Sequence, residues 1–278
     1  MIATAMDGEA TLRDRIRLLY TRHTAPLGAP RIVFVHSLAL SQVLWSRVTA
    51  TLHGRAEMIT YDCRGHGRSG RTPGPYSTGQ FADDLAELLD HVGWTDAIVV
   101  GCSMGGCVAQ NFAARYPTRT RAALFIDTTA WYGPTAPIEW AARSARAREK
   151  GLEALVPFQL DRWFSTAFQE TDPRLMKRLA AVFTANDLDA YQATCTMLGL
   201  TDLRASASSI RQPAAVLVGE HDEATPPQMA QDLAERIGCA PALVVPGTRH
   251  LTPLENPGIV VYALSELIKR VPTSGASF

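Results

Sequence analysis

Short apolar runs alternate along the chain with longer segments whose apolar positions recur at helical spacing. The runs RIVFVHS (31–37), EMITYDC (57–63), DAIVVGCS (96–103), AALFIDTT (122–129), PAAVLVGE (213–220) and ALVVPG (242–247) are rich in valine and isoleucine and bounded by turn residues. They lack the alternation of a strand with one wet face, which predicts strands of a parallel sheet covered on both sides. Between them, FADDLAELLDHVG (81–93), GGCVAQNFAARYP (105–117), PQMAQDLAERIG (227–238) and NPGIVVYALSELIKR (256–270) read as amphipathic helices, with Gly93, Pro117 and Gly238 as stop signals. Strand–helix alternation predicts an α/β protein with a mostly parallel, doubly wound sheet.

The rhythm stops between about Trp131 and Ser209. PIEWAARSARAREKGLEAL, DPRLMKRLAAVFTA and DLDAYQATCTMLGL are helical patterns with no strand among them. This predicts a core made of residues 1–130 and 210–278 and a helical cap inserted at 131–209. Ligands of open α/β sheets bind at the carboxyl edge, so a cap there would roof a pocket. The aromatic residues Trp131, Tyr132, Trp140, Trp163 and Phe164 are expected either to line that pocket or to form the cap's own core; Trp131, Tyr132 and Trp163, with Ser37 of the core, are the substrate-binding candidates. The first few residues and the tail PTSGASF are expected to be loose.

Composition narrows the function. A chain of 278 residues, 46% hydrophobic and 19% charged, can bury a core without staples. The 27 acidic residues balance 27 basic ones, which argues against nucleic acid as partner. The five cysteines have no zinc or redox spacing, and no apolar run reaches the length of about 18 residues that a membrane span needs. The expectation is a cytoplasmic protein with reduced thiols, no metal, no cofactor and no membrane partner; its partner is a small molecule, and self-association is left open.

The sharpest chemical signal is Gly101-Cys102-Ser103-Met104-Gly105, a GxSxG between a predicted strand and a predicted helix. There the serine projects from a strained turn, glycines leave room for strand and helix to approach, and the Met104 amide opens the helix where it can donate to an oxyanion. A serine hydroxyl needs a base. With a nucleophile of this kind the partners follow as acid, then histidine, and Asp222 and His250 each come just past a predicted strand end. Glu220, Glu223 and Asp127 are rival acids. His36-Ser37-Leu38 ends the first long strand, and the Leu38 amide is the candidate second oxyanion donor, partnering that of Met104. His23, His53, His91 and His221 read as surface or structural. The literal GxGxxG of Gly65-His66-Gly67-Arg68-Ser69-Gly70 is followed by RTPGPYS rather than a helix, so it reads as a tight loop and not a dinucleotide site.

These motifs resemble those of α/β-hydrolases, and most closely those of the 3-oxoadipate enol-lactonases of aromatic-compound catabolism. The similarity is carried by FVHSLALSQVLW (34–45), YDCRGHGRS (61–69), GCSMGGCVAQNFAARYPTR (101–119), DTTA (127–130), GEHDEATPP (219–227) and RHLTPLENP (249–257). It implies the α/β-hydrolase fold and a Ser103–His250–Asp222 triad that cleaves a lactone or ester without a cofactor. The chain departs from that group in reading HSLA at 36–39 where NSLG is usual, and in carrying Trp131 and Tyr132 after TTA. Arg143, Arg146, Arg148 and Arg162 are candidates to meet a substrate carboxylate. A general carboxylesterase, a carbon–carbon bond hydrolase of ring-cleavage products, and a ligand receptor on the same fold are the alternatives.

Overall fold

A computed structural model describes residues 4–271. The chain opens with an antiparallel hairpin, β1 (Ala5–Thr11) and β2 (Arg17–His23), which the hydrophobic pattern did not reveal. Ala10 is the one buried residue of β1 and Leu18 that of β2, so neither strand presents an apolar run. The six predicted strands all form: β3 (Arg31–Val35), β4 (Glu57–Tyr61), β5 (Ala97–Cys102), β6 (Thr120–Ile126), β7 (Ala214–Gly219) and β8 (Leu243–Val245). They make one 8-stranded sheet in the order β1-β2-β4-β3-β5-β6-β7-β8. Pairing is parallel from β4 through β8 and antiparallel at the β1–β2 edge and between β2 and β4. The tail PTSGASF and residues 1–3 lie outside the described residues; from Ala5 onward the N-terminus is already sheet.

Every residue of β5 is buried, which requires helices on both faces. After α1 (Ser46–Thr51), helices α2 (Thr78–His91) and α3 (Met104–Arg115) pack together, α3 lying on β3, β5 and β6. Ser77 caps α2 by accepting from the Gln80 amide, and Phe81, Leu85, Leu88 and Leu89 form its buried stripe. The Gly65–Gly70 segment is a loop, and α2 begins only at Thr78, so no helix follows directly on those glycines. Buried Arg64 pins the loop to α2 through Asp84, at 2.8 and 2.6 Å.

Between β6 and β7 stand only helices: α4 (Ala136–Lys150), α5 (Val156–Trp163), α6 (Thr166–Thr171), α7 (Pro173–Thr184), α8 (Leu188–Gly199) and α9 (Arg204–Ala207). Trp131 and Asp202 form an isolated antiparallel bridge where this helical insertion leaves and rejoins the core. Asp172 caps α7 and also pairs with Arg47 of α1 at 2.7 Å, tying insertion to core. Three further helices finish the molecule: α10 (Pro227–Ile237), α11 (Thr252–Glu255) and α12 (Pro257–Lys269), the last packing on β6 and β7 with α1 beside it. Among the described residues no helix is long and apolar enough to cross a membrane.

Candidate active site

Strand β5 ends at Cys102 and α3 starts at Met104, leaving Ser103 alone on the turn with φ 57 and ψ −119. A non-glycine residue there carries about 1–3 kcal/mol of strain, which the surroundings must hold. They do so at both ends: the Ser103 amide donates to Ile126 O at 2.9 Å, and Thr128 Oγ1 donates to Ser103 O at 2.8 Å. The flanking glycines are needed for space. A Cβ on Gly105 would lie 2.1 Å from Val35 O, and one on Gly101 would lie 2.1 Å from Gly105 O.

Strands β7 and β8 deliver the other two residues to the same rim. Ser103 Oγ lies 2.9 Å from His250 Nε2, and His250 Nδ1 lies 2.7 Å from Asp222 Oδ2. The carboxylate partner fixes the proton on Nδ1, which leaves Nε2 free to accept from the serine hydroxyl. Asp222 is held by its own loop: Oδ1 accepts from the Ala224 and Thr225 amides at 2.7 and 2.9 Å, and Oδ2 accepts from Thr225 Oγ1 at 2.9 Å. Burial would raise its pKa, but the facing His250 and these donors outweigh burial and keep Asp222 below the usual carboxylate range. The arrangement suits proton transfer from a hydroxyl to an imidazole whose developing cation is stabilised by a fixed carboxylate.

The rival acids stand elsewhere. Asp127 is fully buried, but its carboxylate accepts from the Gly219 amide at 3.1 Å and from Thr252 N and Oγ1 at 2.9 and 3.0 Å. It stitches the end of β6 to β7 and α11. Burial and the neighbouring Asp222 carboxylate push its pKa well up. Glu220 accepts from the Gly247 amide, and Glu223 is exposed. His221 is exposed as well, beside Glu220.

Leu38 lines the small cavity above Ser103, and the Met104 amide is the first of α3, with no carbonyl one turn back to receive it within the helix. His36 braces this corner. Its Nε2 accepts from the Cys63 amide at 2.8 Å, so Nδ1 carries the proton and donates to Ser37 O at 2.7 Å. Ser37 C=O and Leu38 N–H share one planar peptide, so this bond also sets the direction of the Leu38 amide. Burial lowers the His36 pKa to about 4, keeping the ring neutral as both bonds require. The buried ring of His66 meets it edge-on at 5.2 Å.

The cavity over Ser103 measures ≈ 30 Å³, room for about one water molecule. Ser37, Tyr132 and Trp163, expected there, do line it, and so do Trp140, Arg143, Gln159, Arg162 and Thr225. Trp131 does not: it stands at the neck of the insertion, in the bridge to Asp202 with the Arg204 guanidinium 4.0 Å over its ring. Phe164 is also absent from the wall; it is packed against Trp163 and Phe168 in the interior. Of the four arginines, Arg148 pairs with Asp189 and Arg146 lines a wider groove outside, of ≈ 470 Å³, whereas Arg143 and Arg162 reach the cavity. Among the described residues Arg143 donates only to neutral partners, Tyr191 Oη at 2.9 Å and Gln159 Oε1 at 3.0 Å, and it stacks on Trp140. Arg162 donates to Glu223 O, while its buried Nε has no hydrogen-bond partner among the described residues. Gln159 and Thr225 were missed in the sequence because neither has a motif; only the folded loop shows Thr225 bonded to Asp222.

Fold and rim geometry together define a hydrolase, and the family model for the α/β-hydrolase family matches residues 32–264: the chain belongs to that family. It is 30% identical over 241 residues to 3-oxoadipate enol-lactonase 2 of Acinetobacter baylyi, covering 87% of this chain and 89% of that protein. It is also 30% identical to a pimeloyl-[acyl-carrier protein] methyl ester esterase of Chromobacterium violaceum, over 85% of this chain and 93% of the relative. Among solved structures, the enol-lactonase from Burkholderia xenovorans LB400 superposes with a TM-score of 0.87 at 29% identity, covering 94% of this chain and 100% of that one.

Proposed function

We propose that this hydrolase opens a small lactone or carboxylic ester through an acyl-enzyme on Ser103, its substrate being an enol-lactone that carries a carboxylate, of the 3-oxoadipate enol-lactone type. The observation that carries the reading is the unbroken relay Ser103–His250–Asp222, at 2.9 and 2.7 Å, with the serine on a strained turn. His250 takes the hydroxyl proton as Oγ attacks the carbonyl, and the Leu38 and Met104 amides receive the oxyanion. The ring C–O bond then breaks. His250 returns the proton to the leaving enol oxygen, which stays in the same molecule and tautomerises to a ketone. Water, deprotonated by His250, attacks the ester on Ser103, and the serine regains its proton.

The carboxylate on the substrate is supported by Arg143 and Arg162, neighbouring guanidiniums on the cavity wall. Among the described residues neither is paired with an acidic side chain. A charge held this way invites an anion. Substituting Arg143→Gln is expected to raise KM for a carboxylate-bearing enol-lactone at least tenfold while leaving a neutral ester within about twofold. An equal effect on both would remove the carboxylate from the reading. Substituting Ser103→Ala is expected to lower kcat by roughly three or more orders of magnitude, with an unchanged thermal midpoint. Hydrolysis persisting in that variant would end the serine mechanism. A panel of enol-lactones, neutral esters and a vinylogous 1,5-diketone ranks substrate classes; preference for the diketone would replace the lactone by a carbon–carbon bond.

A further inference from the structure

The Leu38 amide sits inside a four-residue turn, Ser37 to Leu40, closed by Leu40 N donating to Ser37 O at 3.3 Å. Ala39, the third residue of that turn, has φ 57. That position of such a turn suits glycine, and an alanine leaves it readily unless something holds it there. Relaxation would swing the Leu38–Ala39 peptide and carry the Leu38 backbone with it.

The restraint comes from across the site. Asn186, between α7 and α8, sends Nδ2 to Ala39 O at 2.9 Å, and the same nitrogen donates to Val182 O and Phe183 O at 3.0 and 2.9 Å. Its Oδ1 is buried with no hydrogen-bond partner among the described residues. A flipped amide would set oxygen against three carbonyls, so the orientation is fixed by those acceptors even though Oδ1 goes unsatisfied. The turn is therefore gripped twice: His36 holds the Ser37 carbonyl from the core, and Asn186 holds the Ala39 carbonyl from the helical insertion.

We propose that Asn186 is a positioning residue that keeps Ala39 left-handed and thereby aims the Leu38 amide at the oxyanion, so that the oxyanion site is complete only when the helical insertion is closed on the core. A cavity of ≈ 30 Å³ cannot admit a lactone without outward movement of Trp140, Arg143 or Trp163 on the insertion. If the α7–α8 corner moves with them, Ala39 O loses its donor, and re-closure restores it. Chemistry then waits on closure.

The inference rests on the proposed serine mechanism, and its test separates the two. Substituting Asn186→Ser keeps a hydroxyl that can still bond the carbonyls one turn back but is too short to reach Ala39. With p-nitrophenyl acetate as probe, kcat is expected to fall about tenfold or more, with KM within twofold and the thermal midpoint nearly unchanged. Adding Ala39→Gly is expected to recover most of the lost kcat, because glycine takes φ near +57 without a tether. A role confined to capping α7 would lower the midpoint, spare kcat and gain nothing from Gly at position 39; that pattern overturns the proposal. Should Asn186→Ser fold poorly, Asn186→Asp gives a second test: a carboxylate has no donor for Ala39 O, so kcat must fall with KM kept, and unchanged kcat overturns the proposal. Wild-type turnover that survives Ser103→Ala would instead sink the serine mechanism, and the positioning role with it.

Discussion

Asp222 and Asp127 are both buried carboxylates at the same rim, and their different partners assign them different work. Asp222 faces an imidazole and three donors from its own loop, so its charge can stabilise the histidine cation at no cost of reorganisation. Asp127 spends its oxygens on Gly219 and Thr252 and ties secondary-structure elements together. Substituting Asp222→Asn is expected to cut kcat by roughly three to four orders of magnitude, with modest loss of stability. Substituting Asp127→Asn turns an amide NH2 toward existing donors; it is expected to lower stability by about 2 kcal/mol or more while folded protein keeps most of its kcat. Urea titration beside steady-state kinetics checks both, and the reverse pattern would exchange their roles. Ser103, Asp222 and His250 were legible in the sequence because each follows a strand end in a known order. The supports around them were not: Thr225 carries no motif, and His36, Gln159 and Asn186 act on Cys63, Arg143 and Ala39 through contacts that only the folded chain makes.

At the scale of elements, what was legible followed burial. Strands buried on both faces, such as β3 and β5, appear as continuous apolar runs, and their ends are where the chemistry sits. The β1–β2 hairpin stayed hidden because it lies at a sheet edge and buries almost nothing. The insertion was readable as helical, yet which of its aromatics face the serine was not. Trp131 and Trp163 carry the same side chain in similar surroundings of sequence, and only the packing places the first at the neck and the second on the cavity wall. The strand–turn–helix element also makes a sharp demand. Substituting Gly105→Ala drives a Cβ into Val35 O, a backbone atom that cannot yield without moving β3. Soluble expression and activity are expected to fall together, whereas Gly238→Ala, with open space around it, is expected to cost only about 1 kcal/mol through its φ of 74. Equal damage at both positions would contradict the close-approach reading.

For the whole molecule, buried neutral histidines link stability to pH. Burial lowers the pKa of His36 to about 4 and that of His66 to about 3, from an ordinary value of 6.5. The unfolded chain therefore binds protons that the folded chain refuses. The stability these rings contribute is full above pH 6.5 and is lost as pH falls through 4 and then 3. Buried Asp84, pushed up to about 6 mainly by burial, works in the opposite sense, so the comparison is made between chains that differ only at residue 66. In His66→Phe the decline of the urea midpoint between pH 6.5 and 4 is expected to be shallower than in the natural chain; parallel curves would remove the histidine from the acid sensitivity.

A core that fixes three residues on one rim, under an insertion that roofs them, leaves one claim on which the chemistry turns: the hydroxyl of Ser103 is a nucleophile activated by His250. Incubation with a fluorophosphonate, followed by peptide mapping by mass spectrometry, reads this directly. The expected result is a single adduct on the peptide containing Ser103, absent in Ser103→Ala and at least a hundredfold slower to form in His250→Ala. An unlabelled protein, or an adduct on another residue, would contradict it.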